Sequence, residues 1–283
     1  MRILFTADGR SPTALSWIQY YIDRGDEVFL ASTFSCTPPE GLKDYKFVPA
    51  AFSGVKNASA GAGSGTKPGR KNLLWGTSTL KLRTAIRQWL GPLTISRSAI
   101  PLKKYIQQVK PDLVHAMRIP YEAMLAAAAG GLAPLLVSVR GNDFTLHAPA
   151  SPLMSYYTRS TLQAADGLHA DCARDIRLGQ QWGFPAEKPT LVIPGSGGIR
   201  TGMFHPASEP ASQPLVINPR GFRAYVNNNA FFKAIPIVLK ERPDARFICP
   251  SMAGERQVVD LISVLGIGHA VELTPPLAQT LLA

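Results

Sequence analysis

The sequence predicts an α/β protein of two parallel-sheet domains, the second incomplete. Short apolar runs of strand length alternate with segments of helical period, which implies parallel strands with helices on both faces. Three of those runs stop at polar or glycine-rich tips, at His115, at Arg140 to Asp143 and at Gly195 to Gly198. The alternation then restarts after a stretch at 207–214 that holds two prolines, two serines and no apolar period. In an open parallel sheet the carboxyl ends of strands line the ligand crevice, so those tips are the first candidates for a site.

The elements follow in order. Arg2 to Thr6 reads as a buried strand, and Ser11 before Pro12 as the N-cap of a helix over Thr13 to Arg24. Leu15, Ile18 and Ile22 would share its buried face, with Gly25 ending it and Glu27 to Ser32 forming the second strand. The first turn lacks GxGxxG. Gly9 and Arg10 either bring a backbone amide and a cation to a ligand at the helix N-terminus or are a turn glycine and an exposed arginine. A third strand is expected near Tyr45 to Pro49 and a flexible loop over Ser53 to Gly69, where Gly65-Thr-Lys67 falls short of a phosphate-loop pattern. Leu82, Ile86, Trp89 and Leu93 recur at helical spacing, read first as core packing and otherwise as a membrane-surface stripe.

Helices are expected over Ile95 to Val109, Tyr121 to Gly131, Pro152 to Ala165 and Asp171 to Trp182, and strands at Leu135 to Val139, Gly167 to Ala170 and Leu191 to Pro194. The second domain reads as strands at Pro214 to Asn218, Ala245 to Cys249 and Ala270 to Leu273, with helices over Asn227 to Arg242 and Glu255 to Leu265. The domains are thus 1–206, a linker at 207–214, and 215–283.

Composition narrows the function classes. With 46% hydrophobic and 17% charged residues, disordered and fibrous classes are excluded. No apolar run reaches the ~18 residues of a membrane span, and the start reads as a strand, so a cytoplasmic protein is expected. Cys36, Cys172 and Cys249 are an odd number without CxxC spacing, and the five histidines show no HExxH, so no metal site or disulfide framework is expected. The net charge is +11, and 45–111 holds twelve lysines and arginines without one acid. That is a solvated basic face or a surface for an anionic partner, such as a phosphorylated ligand or an acidic membrane. No nucleic-acid motif accompanies it, so nucleic acid is not an expected partner.

Several of these motifs together resemble a family 4 glycosyltransferase of the GT-B architecture, two Rossmann-like domains facing a cleft. Pro111-Asp-Leu-Val-His115 is similar to the family's PDxVHxH segment, with Met117 in place of the second histidine. Val139-Arg-Gly-Asn-Asp143 resembles its HGxD loop, with Arg140 replacing the histidine. Ile193-Pro-Gly-Ser-Gly-Gly-Ile199 and Phe204-His-Pro206 resemble its IPNGVD and FxP pair, and Asn218-Pro-Arg-Gly221 its VGR turn. The resemblance implies a retaining enzyme that moves a sugar from a nucleotide-sugar donor to a glycan or lipid-linked acceptor without a metal or other cofactor. It implies that Arg220 and Gly221 meet the donor diphosphate, with Arg223 as a second cation because Tyr225 stands where the family places a lysine. Arg140 and Asp143 would lie at the sugar end, although Asp143 reads equally as a loop cap. Gly9, Arg10 and His115 would lie on the acceptor side, although His115 reads equally as a core histidine. Gly195, Ser196, Gly197 and Gly198 would form a cleft loop. The family's paired glutamates, eight positions apart, do not occur from Pro214 on, so weak donor binding and little turnover are expected of the 283 residues alone. A non-catalytic module that docks on anionic lipid or a phosphorylated ligand is the alternative.

Overall fold

The structure, a computed structural model, describes residues 1–53, 85–195 and 201–277, the last without 203, 207, 208, 210, 211 and 223–225. The chain divides into two compact units, Met1–Gly198 and Ile199–Ala283. In the first, seven parallel strands lie in the order β3-β2-β1-β4-β5-β6-β7: β1 Arg2–Ala7, β2 Glu27–Ser32, β3 Asp44–Phe47, β4 Leu113–Ala116, β5 Leu135–Val139, β6 Gly167–Ala170 and β7 Thr190–Val192. The chain winds outward from β1 to β3, then returns to pair β4 on the other side of β1. That reversal makes a switch point at the carboxyl ends of β1 and β4, the place where a doubly wound sheet opens a crevice.

Side-chain alternation gives β1 two buried faces. Ile3 and Phe5 join Val28, Leu30 and Ile18 under helix α1 (Pro12–Asp23), while Leu4 joins a larger core with Val114, Val137 and Leu162. Helices α2 (Ile95–Val109), α3 (Met124–Ala128) and α4 (Pro152–Ala164) bury residues in that second core. Ser11 caps α1 by accepting the Ala14 amide, ahead of Pro12 at the first helical position. The buried face of α1 differs from the expected one. Ala14 and Ile18 are buried, flanked by Trp17, Tyr21 and Ile22, while Leu15 stays half-exposed, because the indole takes the place over the sheet.

The expected helix over Tyr121 to Gly131 starts later. Tyr121 has φ 76° and ψ −49°, inside a turn over Ile119–Ala123, so regular helix begins only at Met124. Helix α5 spans Ala173–Gln181, and Gly183 at φ 110° follows its end. The loop expected over Ser53 to Gly69, with Gly65-Thr-Lys67, lies outside the described residues from 54 on. The apolar stripe is a correction. Leu82 is outside the described residues, but Ile86, Trp89 and Leu93 are exposed, Leu93 at 61%, and do not join the core.

The second unit holds β8 (Leu215–Ile217), β9 (Arg246–Pro250) and β10 (Val271–Thr274), parallel and in the order β10-β9-β8, with helices α6 (Asn228–Glu241) and α7 (Arg256–Leu265). Phe232, Ile235, Phe247, Cys249 and Val258 form its core. Among the described residues no helix is long and apolar enough to cross a membrane.

A polar chain runs through the first sheet. His115 on β4, Ser138 on β5 and His169 on β6 are buried neighbours on adjacent strands, with His115 Nε2 2.7 Å from Ser138 Oγ and Ser138 Oγ 2.8 Å from His169 Nδ1. His169 Nε2 lies 3.0 Å from the Ile193 carbonyl and must donate to it. In neutral His169 that leaves Nδ1 to accept from the Ser138 hydroxyl, whose oxygen then accepts from His115 Nε2–H. Burial, then His169 and Arg140, push His115 down to about 3, so it stays neutral as the chain requires. Trp17 roofs both rings, with centroids 5.2 Å from His115 and 5.1 Å from His169. Replacing Ser138→Ala strands one buried donor and one buried acceptor, so urea unfolding should show a loss of about 2–4 kcal/mol, whereas a loss near zero would mean the chain does not bind the strands.

Candidate functional site

The switch point is a cleft of about 390 Å³, lined by residues that follow β1 (Asp8, Arg10), β4 (Met117, Arg118, Tyr121, Glu122) and β5 (Arg140, His147), and closed by Phe34 and Arg87. Its basic groups are held in fixed places. Arg10 makes two parallel bonds to Asp8 at 3.0 Å each and lies 3.7 Å over the Phe34 ring. Arg118 donates Nε to Asp143 Oδ1 at 2.9 Å and one terminal nitrogen to Asn142 and to His147 Nε2. A guanidinium only donates, so His147 accepts at Nε2 and is neutral there, consistent with a pKa lowered by burial and by Arg118.

Asp143 is fully buried, and its second oxygen accepts the Arg140 amide at 3.0 Å. It therefore ties the tip of β5 to the cation at the tip of β4. Arg140 lines the cleft with its guanidinium 3.6 Å from Asp171. Asp171 in turn accepts the Gly195 amide at 2.7 Å, and the Gly195 carbonyl accepts from the Trp17 indole at 2.8 Å. A side chain at Gly195 would push aside the Asp171 carboxylate and the Arg140 guanidinium that meet there.

Glu122 sits at the back of the cleft, 4% exposed, with Thr33 Oγ1 donating to it at 2.7 Å. Burial outweighs that bond and the field of Arg118 and Arg87, raising the carboxyl to about 7. It follows Tyr121, whose left-handed backbone costs about 1–3 kcal/mol for a non-glycine residue. Tyr121 is fixed by its hydroxyl, which donates to the Arg87 carbonyl, and by the Arg87 guanidinium 4.7 Å from its ring.

Of the residues singled out from sequence, Arg10 and Arg140 line the cleft. Gly9 is buried beside it, its amide donating to Ser32 Oγ at 3.0 Å. Asp143 lies beneath it as a clamp, the capping alternative. His115 is not on its wall but in the polar chain of the sheet, the core alternative. Ser196, Gly197, Gly198 and Arg223 lie outside the described residues. In the second unit, Arg220 is exposed just past β8 and Gly221 turns at φ 66°, where a Cβ would come 3.3 Å from Ser251. Arg87, Arg118, Glu122 and His147 were not singled out. Glu122 did carry a signal, as the one acid within the apolar, alanine-rich segment 119–133.

A model of the glycosyl transferase 4-like domain matches residues 9–195. No curated protein matches the chain. Among solved structures it is similar to Anabaena HepE in complex with UDP, with a TM-score of 0.60 and 12% identity over 100% of this chain and 71% of that one. It is similar to the lipopolysaccharide outer core galactosyltransferase WaaB in its apo form, with a TM-score of 0.56 and 12% identity over 98% and 69%. It is also similar to UDP-N-acetylglucosamine 2-epimerase from Rickettsia bellii, with a TM-score of 0.52 and 13% identity over 99% and 70%. The fold is of the GT-B type, with a smaller second domain. A galactosyltransferase and an epimerase share it, so the fold alone does not choose the chemistry.

Glu122 makes stability depend on pH with a definite sign. Its folded pKa of about 7 lies above the usual 4.5, so its contribution is full below pH 4.5 and lost as the pH rises through 7. Glu122→Gln has no such titration. Denaturant unfolding at pH 5 and pH 8 should show the variant gaining on the parent protein by about 3 kcal/mol across the window, and a constant difference would place the carboxyl in water.

Proposed function

The chain belongs to the glycosyl transferase 4-like family, and we propose that it moves a sugar from a nucleotide-sugar donor, with retention of configuration, to a hydroxyl of a glycan, glycolipid or similar acceptor held in the first unit's cleft. The observation that carries this reading is the arginine-lined cleft at the switch point, inside the stretch that matches the family. Arg140 stands at the sugar end in the family histidine's place, and Asp143 acts through Arg140 and Arg118 rather than on the sugar. The donor's diphosphate meets Arg220 and the Gly221 turn on the second unit, with Arg223 as the second cation. UDP is the nucleotide to test first, because the Anabaena protein is described in complex with UDP and with UDP-glucose.

In this reading no metal takes part. As the bond from the sugar to the diphosphate breaks, negative charge grows on the leaving oxygens, and a guanidinium with several fixed donors stabilises it without losing its own charge. Replacing Arg220→Ala should therefore weaken UDP binding by about tenfold or more in calorimetry. Equal affinity in the two proteins would remove Arg220 from the donor site.

The exposure of Ile86, Trp89, Leu90 and Leu93, followed along the chain by exposed Arg97, Lys103 and Lys104, supports a second element. This face rests on an anionic membrane surface, where a lipid-linked acceptor would be presented. The chain should sediment with vesicles containing phosphatidylserine and not with phosphatidylcholine alone, and Trp89→Ser with Leu93→Ser should abolish it. Equal sedimentation with both vesicles, or none with either, would sink the contact.

A further inference from the structure

We infer that the cleft of the first unit is built for an acceptor sugar bearing an oxyanion, a phosphate or a carboxylate, and that Arg87 is its anchor. The inference rests on the acceptor reading of the cleft and narrows the acceptor to an acidic class. It starts from the charges on the cleft wall. Four guanidinium groups line it, and three have a carboxylate: Arg10 has Asp8, Arg118 has Asp143 and Arg140 has Asp171. Arg87 has no carboxylate partner among the described residues, and its buried Nε has no hydrogen-bond partner there.

Arg87 is nevertheless held in place. Its guanidinium lies 4.7 Å from the Tyr121 ring and 5.2 Å from the Phe34 ring, the same ring that Arg10 covers at 3.7 Å. Two cations thus converge on one aromatic ring at the mouth of a single cleft. Like charges brought together this way repel; Asp8 offsets Arg10, and the acid that feels the field of Arg87 is Glu122. Its burial keeps much of it protonated near neutral pH, so it is a poor counter-ion. An oxyanion at Arg87 supplies the missing charge and meets a planar guanidinium suited to phosphate and carboxylate, while the Nε and Nη2 of Arg10 stay with Asp8. A volume of about 390 Å³ lies in the range of small-molecule sites and accommodates one sugar with its charged group.

The test is titration of the whole chain, with UDP in excess to fill the donor site, by glucose, glucose 6-phosphate and glucuronate, followed by calorimetry or ligand-observed NMR. At least one charged sugar should bind about tenfold or more tighter than glucose, and the tighter of the two identifies the anion. Arg87→Gln should erase that margin and Arg87→Lys retain part of it, so a folding defect in one variant leaves the other to decide. Glucose binding as tightly as both charged sugars would overturn the acidic class while leaving the acceptor site standing. A margin that survives both substitutions would overturn Arg87 as the anchor. Binding of none of the three sugars would overturn the acceptor reading itself, and this inference with it.

Discussion

The geometry of the cleft depends on one buried carboxylate. Asp143 receives the Arg118 guanidinium on one oxygen and the Arg140 amide on the other. These residues follow β4 and β5, which pair directly, so the sheet supplies the proximity and Asp143 supplies the angle. A carboxylate in that position is stable only while both oxygens are occupied, since an uncompensated buried charge costs several kcal/mol. The demand runs both ways. The carboxylate keeps the cation at the cleft wall, and the cation makes the buried carboxylate affordable.

Much of this architecture is legible in the sequence. Strands β2, β5 and β6 and helix α2 fall where apolar period and bounding residues put them, because each is a local pattern closed by a local stop: Gly25 after α1, Pro111 after α2 and Gly183 after α5. Of the strand tips, Arg140 lines the crevice at the switch point and His115 does not. Three features were not legible, each for a physical reason. Tyr121 adopts a backbone conformation that its residue type disfavours, and its burial in the core and its contacts with Arg87 hold it there. Trp17 shifts the buried face of α1 because His115 and His169 receive it, two residues far away in sequence. Arg87 lies in a run that reads as surface charge, and only the fold brings it to Phe34.

The polar chain from His115 to Ile193 and the clamp at Asp143 divide the labour of the first unit. The chain ties strands together inside the sheet, while the clamp shapes what lies above their ends. His115, though placed in a family motif, belongs to the former. Motif membership thus identifies a stretch of chain near the site without saying which of its side chains faces the ligand. Next to His115 in sequence, Arg118 and Glu122 do face it.

Tyr121 bears on how this protein would answer selection for heat resistance. Its φ of 76° is one that glycine adopts without strain, so a glycine there relieves the backbone. The same exchange deletes the ring beside Arg87 and the hydroxyl that holds its carbonyl. Tyr121 is buried in the core, and losing that ring costs more than the strain relieved, so selection for thermotolerance would keep the tyrosine and the cleft wall with it.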